Sequence, residues 1–201
     1  STQRKSAVYG LRNILQEISL VRTLANSRTT IQLANQLLNQ SDEDWPFPTR
    51  GLYFDKLSGA NWELPWHQDL AIAVKEKIPT EGYSAWSEKE GIPHVIPPQN
   101  ILDNRVALRF HLDDCGPDNG PLLVVPESHR LGKLDHSRIT EHVNSHEPVS
   151  CTCNAGDLLL IHPMLLHASH RATTLSHRRV IHIEYASTPL DVLLQWHAQS
   201  A

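Results

Sequence analysis

The chain has 201 residues, 40% of them hydrophobic, which suits a folded domain with a proper core. Its 18 basic and 22 acidic side chains leave a formal charge of −4, which excludes the basic footprint of a nucleic-acid binder and an attraction to anionic membranes. No apolar run approaches the roughly 20 residues needed to span a bilayer, and the first residues lack a signal-peptide pattern, so a cytoplasmic protein with no membrane partner is expected.

In chain order, the segment 8–38 reads helical, because Leu11, Ile14, Leu15, Ile18, Val21 and Leu24, then Ile31, Ala34, Leu37 and Leu38, recur at helical spacing. Asn26-Ser27-Arg28-Thr29 separates two helices, with Ser27 or Thr29 as the cap of the second. Trp45-Pro46-Phe47-Pro48 then stops any helix. From Thr49 the period changes to two, and 51–56 and 63–74 read as strands around a turn at Ser58-Gly59-Ala60-Asn61. Segment 76–100 holds Pro79, Gly82, Gly91, Pro93, Pro97 and Pro98 among polar residues, and it reads as a long insertion that folds over a site as a lid, carrying Tyr83 and Trp86.

A strand over 105–112 alternates Val106, Leu108, Phe110 and Leu112 with Arg105, Ala107, Arg109 and His111. The polar face is either solvated or, in a barrel with a central site, the mouth of a pocket, which makes Arg109 and His111 candidate substrate contacts. The Asn119-Gly120 turn leads into a buried strand at 122–125. Residues 133–148 read as a polar stretch with His136, His142 and His146 in solvent. Strands follow at 148–153, 157–161, 165–169 and 179–185. The sum is a mainly β chain, a double-stranded β-helix (jelly roll, cupin-like) with an N-terminal helical layer. One domain over 1–201 is expected, with about 1–45 a helical buttress and about 49–186 the jelly-roll core.

The chemistry centres on Trp66-His67-Gln68-Asp69. Residues two apart on a strand share a face, so His67 and Asp69 can offer a nitrogen and a carboxylate oxygen to one point. A second histidine would complete a two-histidine, one-carboxylate facial triad, which leaves three adjacent positions open and suits non-haem Fe(II). His167 is the best of the thirteen histidines for this: alternation along 165–169 puts Leu165, His167 and Ser169 on one face, while Pro163 breaks the register around the rival His162. His170 is the other rival. The three cysteines, Cys115, Cys151 and Cys153, read as packed free thiols. Near the C-terminal end, Arg178 and Arg179 lie on opposite faces of one strand, and parity alone leaves open which of them points inward.

The ordered set Trp66-His67-Gln68-Asp69, Asn119-Gly120-Pro121-Leu122 leading to Pro126-Glu127-Ser128-His129-Arg130-Leu131-Gly132, then His167-Ala168-Ser169 and Arg178, resembles the phytanoyl-CoA dioxygenase family of Fe(II)- and 2-oxoglutarate-dependent oxygenases. The resemblance covers roughly 50–186. It implies that His67, Asp69 and His167 are the metal ligands, that Arg178 anchors the distal carboxylate of 2-oxoglutarate with help from Ser169, and that Lys56 contacts the same cosubstrate. Glu127 departs from the family, which has glycine there. Relatives are often longer, so a substrate-covering segment is expected to be absent.

On that resemblance the cofactors are Fe(II), with 2-oxoglutarate and O2 as cosubstrates, and the reaction hydroxylates an aliphatic C–H of a small molecule with release of succinate and CO2. Asp69 argues for hydroxylation, since related halogenases have a small residue at that position. Two other classes fit the same shell: a Zn(II) hydrolase and a non-catalytic cupin-like binding protein. Substrate identity and oligomeric state are not legible from the residues.

Overall fold

The structure, a computed structural model, describes residues 9–38, 45–57, 60–174 and 176–198. Val8 and the Ser58-Gly59 half of the expected turn lie outside these. Among the described residues the strands are β1 (Gly10–Arg12), β2 (Phe47–Asp55), β3 (Leu64–His67), β4 (Ile72–Ala73), β5 (Ser84–Lys89), β6 (Ile92–Ile96), β7 (Arg105–His111), β8 (Leu122–Val124), β9 (Val149–Cys151), β10 (Leu158–Ile161), β11 (His167–Ser169) and β12 (Arg179–Ala186). They form three antiparallel sheets with the orders β1-β2-β12-β7-β10, β3-β11-β8-β9 and β4-β6-β5. Setting aside β1 and the third sheet, the remaining eight strands fall in the order 1-8-3-6 in one sheet and 2-7-4-5 in the other. That interleaving is a double-sheet jelly roll, in which the first and last strands are neighbours and the two sheets enclose a space.

Helices α1 (Ile14–Glu17), α2 (Ser19–Ala25) and α3 (Arg28–Leu38) precede the roll. Their Ile14, Leu15, Val21, Ala25 and Ala34 form one apolar cluster with Val106 and Leu108 of β7 and Ile183 and Tyr185 of β12. Tyr185 donates its hydroxyl to the Ala25 carbonyl at 2.8 Å, so even the polar tip of this buried ring is satisfied. Gly51 permits the close approach of α1: a Cβ there would come within 2.8 Å of the Leu15 side chain and 2.9 Å of that of Ile14. The break falls at Asn26 and Ser27, and the Ser27 hydroxyl accepts from the Thr30 amide at 3.3 Å at the start of α3.

Four local expectations are corrected. Residues 10–12 are a strand paired with β2, ended by Asn13 in the left-handed region at φ 63°. Leu11 still packs on the same cluster as the helices, which is why its spacing imitates a helical one. Segment 63–74 is two strands in different sheets, β3 and β4. Segment 76–100 is not a structureless insertion: β5 and β6 form a hairpin, α4 (Gln99–Asp103) follows, and Tyr83 is buried in a cluster with Ile72, Val95 and Trp196. Residues 136–145 form helix α5 (His136–Ser145), capped by the Asp135 carboxylate accepting from the Arg138 amide at 2.9 Å. Its Ile139 and Val143 pack on Val125, Leu134 and Leu166. No helix among the described residues is long and apolar enough to cross a membrane.

Candidate metal centre and adjoining pocket

The second sheet builds the centre. His67 of β3 lies directly opposite His167 of β11 in the antiparallel register, and their rings stand 4.2 Å apart. Asp69 follows β3 after a bend held by several bonds. Its amide donates to the Pro163 carbonyl at 2.8 Å, and its carbonyl accepts from Arg105 Nη1 at 3.1 Å. Between the two candidate ligands, buried Gln68 points the other way. It donates to the carbonyls of Gly132 (2.9 Å) and Met164 (2.8 Å) and accepts from the Leu134 amide at 2.9 Å. This staple fixes the bearing of Asp69 by fixing the chain on its N-terminal side. The sequence reading passed over Gln68, though a primary amide between two candidate ligands is a signal for such a pin.

The donors converge. One nitrogen each from His67 and His167 and one oxygen of Asp69 lie within 4.8 Å of one another. His67 Nε2 is 3.6 Å from Asp69 Oδ1, and His167 Nε2 is 3.3 Å from Oδ2. Both rings donate Nδ1–H to the carbonyl two residues back, Pro65 at 2.7 Å and Leu165 at 2.8 Å, which leaves each Nε2 with its lone pair turned towards the shared point. Burial alone would raise the Asp69 pKa, but the facing imidazoles hold its carboxyl well below the usual range, so it is ionised as a ligand must be. The donor set therefore fits a divalent ion.

The rival histidines sit elsewhere. His162 stacks on His129 at 5.1 Å and accepts the Met164 amide on Nδ1. His170 is exposed and faces Glu63 at 3.7 Å. Neither joins the cluster.

Beside the triad lies a cavity of about 320 Å³, within the range of small-molecule sites. Two buried guanidinium groups line it, and a buried lysine lies behind the lining Ser169. Arg178, just before β12, is 4% exposed and lines the cavity, donating Nη1 to the Gly120 carbonyl and, at 3.5 Å, to Ser169 Oγ. Its Nε has no partner. Arg109 of β7 also lines the cavity, with Nη1 3.2 Å from His182 Nδ1 and its Nε likewise unpartnered. Fully buried Lys56 donates Nζ to Ser169 Oγ at 2.8 Å and to the His170 carbonyl at 2.5 Å. Among the described residues none of the three has a carboxylate partner. Burial and the neighbouring Arg178 push Lys56 down to about 8 and Arg109 down to about 10. Gly120, the end of the Asn119-Gly120 turn, has φ 60°, and a Cβ there would lie 2.7 Å from the His170 carbonyl. Glycine is what lets this turn bring its carbonyl to Arg178.

Strand parity is thereby resolved. Arg178, His182 and Glu184 line the cavity, whereas Ile181, Ile183 and Tyr185 face the helices. Arg179 is outside, forked onto Asp113 at 2.8 Å and 2.6 Å. His111 is buried with neither ring nitrogen partnered, and it does not line the cavity. Glu184 is shared between Arg105 (2.6 Å) and Arg50 (3.2 Å). Although burial would raise it, Arg50, His182 and Arg105 hold its pKa at about 2. Glu127 adopts φ 62°, a left-handed conformation that glycine takes at no cost, so the departure from the family changes the residue and keeps the turn. Lys89 and Glu90, at the tip of the β5–β6 hairpin, are the part of segment 76–100 that reaches the site: Lys89 lines the cavity and Glu90 pairs with Arg12 at 3.1 Å.

A jelly roll with two histidines and a carboxylate at one end of its second sheet belongs to the class of proteins built around a single metal ion. The chain belongs to the phytanoyl-CoA dioxygenase family, whose profile matches residues 6–180. It is similar to L-proline trans-4-hydroxylase of Streptomyces griseoviridis, 26% identical over 153 residues, which are 63% of this chain and 48% of that enzyme. The chain thus spans about half the length of the curated relative it matches. Among solved structures it resembles AviO1 from Streptomyces viridochromogenes Tue57, with a TM-score of 0.64 and 23% identity over 94% of this chain and 72% of that one. It also resembles EctD from S. alaskensis with bound Fe, with a TM-score of 0.67 and 19% identity over 93% of this chain and 59% of that one. EctD has also been solved with 2-oxoglutarate and 5-hydroxyectoine. These structural likenesses establish the shared fold.

Proposed function

We propose that the protein is an Fe(II)- and 2-oxoglutarate-dependent dioxygenase that hydroxylates an aliphatic C–H of a small molecule. The observation that carries this reading is one cavity lined both by a metal-ready donor set and by two buried guanidinium groups without carboxylate partners among the described residues. His67, Asp69 and His167 would hold the iron. Arg178 would pair with the distal carboxylate of 2-oxoglutarate through two parallel hydrogen bonds, with Ser169 adding a third and Lys56 adding charge from behind it. Arg109, which lines the same cavity as Arg178 and the triad, would offset the charge of the keto-acid end. Bound iron supplies the oxygen chemistry, in which O2 and 2-oxoglutarate give succinate, CO2 and one oxygen atom for the substrate. The chain's own part is to present two Nε2 lone pairs and one carboxylate, to orient the cosubstrate and to keep the reacting region dry.

The family membership and the similarity to a proline hydroxylase support this assignment. A zinc hydrolase on the same ligands would leave the buried cations without a role. The test is anaerobic addition of Fe(II) and then 2-oxoglutarate, followed by the metal-to-ligand charge-transfer absorption. Its appearance, and its absence when Zn(II) is used or pyruvate replaces 2-oxoglutarate at equal concentration, is the expected result. Tight Zn(II) binding with no such band and no succinate on admitting O2 would sink the reading.

A further inference from the structure

This inference rests on the reading above and concerns a second group of cations lining the same cavity. We propose that the substrate is a small organic oxyanion, a carboxylate or phosphate on an aliphatic body, with its anionic group seated among Arg12, Arg50 and Lys89 and its body along Leu52, Phe54 and Trp62. All six side chains line the cavity that contains the metal centre.

Three separate elements deliver the three cations. Arg12 of β1 stands opposite Leu52 of β2, and Arg50 lies two residues from Leu52, so these side chains emerge on the same cavity face of the large sheet. Lys89 arrives from the third sheet, at the end of β5. The Glu90-Gly91 turn after it has both residues left-handed, at φ 53° and 78°, which is the backbone of a tight two-residue hairpin turn. Glu90 accepts from Arg12 Nε at 3.1 Å and so ties this hairpin tip to β1. The hairpin tip is thereby fixed where its lysine lines the same cavity as the two arginines.

Counter-charge for these three cations is incomplete. Glu90 faces Arg12 from an exposed position, where water weakens the pair. Glu184 answers Arg50 and is shared with Arg105. Among the described residues the Lys89 ammonium has no ion-pair or hydrogen-bond partner, and burial followed by Arg50 and Arg12 disfavours its charged form. Asp69, the remaining carboxylate of the cavity wall, is committed to the metal. A cationic substrate would be repelled here, and a neutral one would leave the lysine uncompensated. An oxyanion satisfies all three groups, and among the described residues none of them hydrogen-bonds to Lys56, Arg109 or Arg178 of the 2-oxoglutarate seat.

The experiment uses the full chain loaded anaerobically with Fe(II) and 2-oxoglutarate, and four probes on one skeleton: hexanoate, hexyl phosphate, hexanol and hexylamine. Binding is read by tryptophan fluorescence, to which Trp62 contributes, and by the shift of the charge-transfer band. Hexanoate or hexyl phosphate is expected to bind about tenfold or more tighter than the alcohol and the amine, and the tighter of the two identifies the oxyanion. Lys89→Gln and Arg12→Gln should each erase most of that preference while leaving 2-oxoglutarate affinity unchanged. The proposal is overturned if the alcohol or amine binds as tightly, if both glutamine variants keep the preference, or if the anions act only by displacing 2-oxoglutarate and bleaching the band. A protein that forms no band fails the dioxygenase reading instead, and fluorescence still ranks the four probes on their own terms.

Discussion

The two faces of β7 and β12 make opposite use of the same backbone. On one face Ile181 pairs with Phe110, Ile183 with Leu108 and Tyr185 with Val106, and all of them pack on the helices. On the other, His182 pairs with Arg109 and Glu184 with Ala107, and these side chains meet the cavity or its immediate wall. Both faces are buried, so burial does not distinguish them. The difference lies in what each face is satisfied by: the apolar face finds its partners within the protein, whereas the polar face retains guanidinium nitrogens with none. Unmet hydrogen-bonding capacity in a buried place costs stability unless a ligand meets it, which is why it marks the working face.

The sharpest break of this contrast is on the metal side. His67→Ala or His167→Ala removes one of three protein donors, and the iron content of the purified variant should fall to background while circular dichroism and the unfolding midpoint stay near those of the parent. Full iron occupancy in His167→Ala would remove this residue from the site. Next in size is Arg178→Ala. Losing one partner of a desolvated charge pair costs about 2 to 5 kcal/mol, which at roughly 1.4 kcal/mol per decade weakens 2-oxoglutarate by about 30-fold to a few thousand-fold. Arg178→Lys should recover only part of this, since it keeps the charge and loses the fork. Arg179→Ala, on the outside, should leave the affinity as it was, and the reverse ranking of the two arginines would contradict the placement of β12.

The opposite face should give the opposite pattern. Ile183 is fully buried, and Ile183→Ala should cost about 2 to 5 kcal/mol of folding stability through lost burial and the cavity left behind. Denaturant unfolding measures that loss, and the charge-transfer titration should give an unchanged 2-oxoglutarate affinity. A variant that lost affinity and stability together would mean that the two faces are mechanically coupled.

How much of this was legible beforehand follows from the same period of two. The alternation in 165–169 and the strands 105–112 and 179–185 could be read because a strand repeats every second residue, whereas the His-x-Asp spacing picked the right pair although Asp69 lies past the end of β3 and is placed by a bend. Which face held the pocket could not, since Ile181 and Ile183 on one side and His182 and Glu184 on the other are compatible with either orientation. Long-range pairing decided it, through the covering helices. The three-residue β1 was hidden because Leu11 falls in step with Ile14, Leu15 and Ile18 and packs on the same cluster. The β5–β6 hairpin was hidden because proline and glycine in 76–100 outweigh its two short strands, of which β5 is mainly polar, although the Glu90-Gly91 turn marks its centre. Helix α5 did leave a signal, with Asp135 as cap and Ile139 and Val143 four apart on one face. The buried role of Lys56 was set by the fold and came into the reading only by resemblance.

The last and smallest effect sharpens the contrast within the cavity itself and concerns pH. Burial and Arg178 lower Lys56 to about 8, whereas in the unfolded chain a lysine titrates near 10.4. Below pH 8 the folded protein carries a buried ammonium, an unfavourable contribution that fades as pH rises from about 8 towards the unfolded value, because over that range the unfolded chain holds the extra proton. Binding of 2-oxoglutarate should run the other way. The dianion favours the ammonium, so affinity is fully present below pH 8 and is lost as the proton leaves. With one linked proton, and a pKa raised out of range in the complex, the affinity should fall about tenfold between pH 7 and pH 9. Burial pushes the neighbouring Cys115 thiol up from its ordinary value, so it stays protonated over most of this window, and Arg109 titrates above it. Calorimetric titration of 2-oxoglutarate at several pH values should give this slope in the parent and a flat profile in Lys56→Met, with Lys56→Arg flat and tighter. An unchanged slope in Lys56→Met would assign the proton to another group and take Lys56 out of the cosubstrate seat.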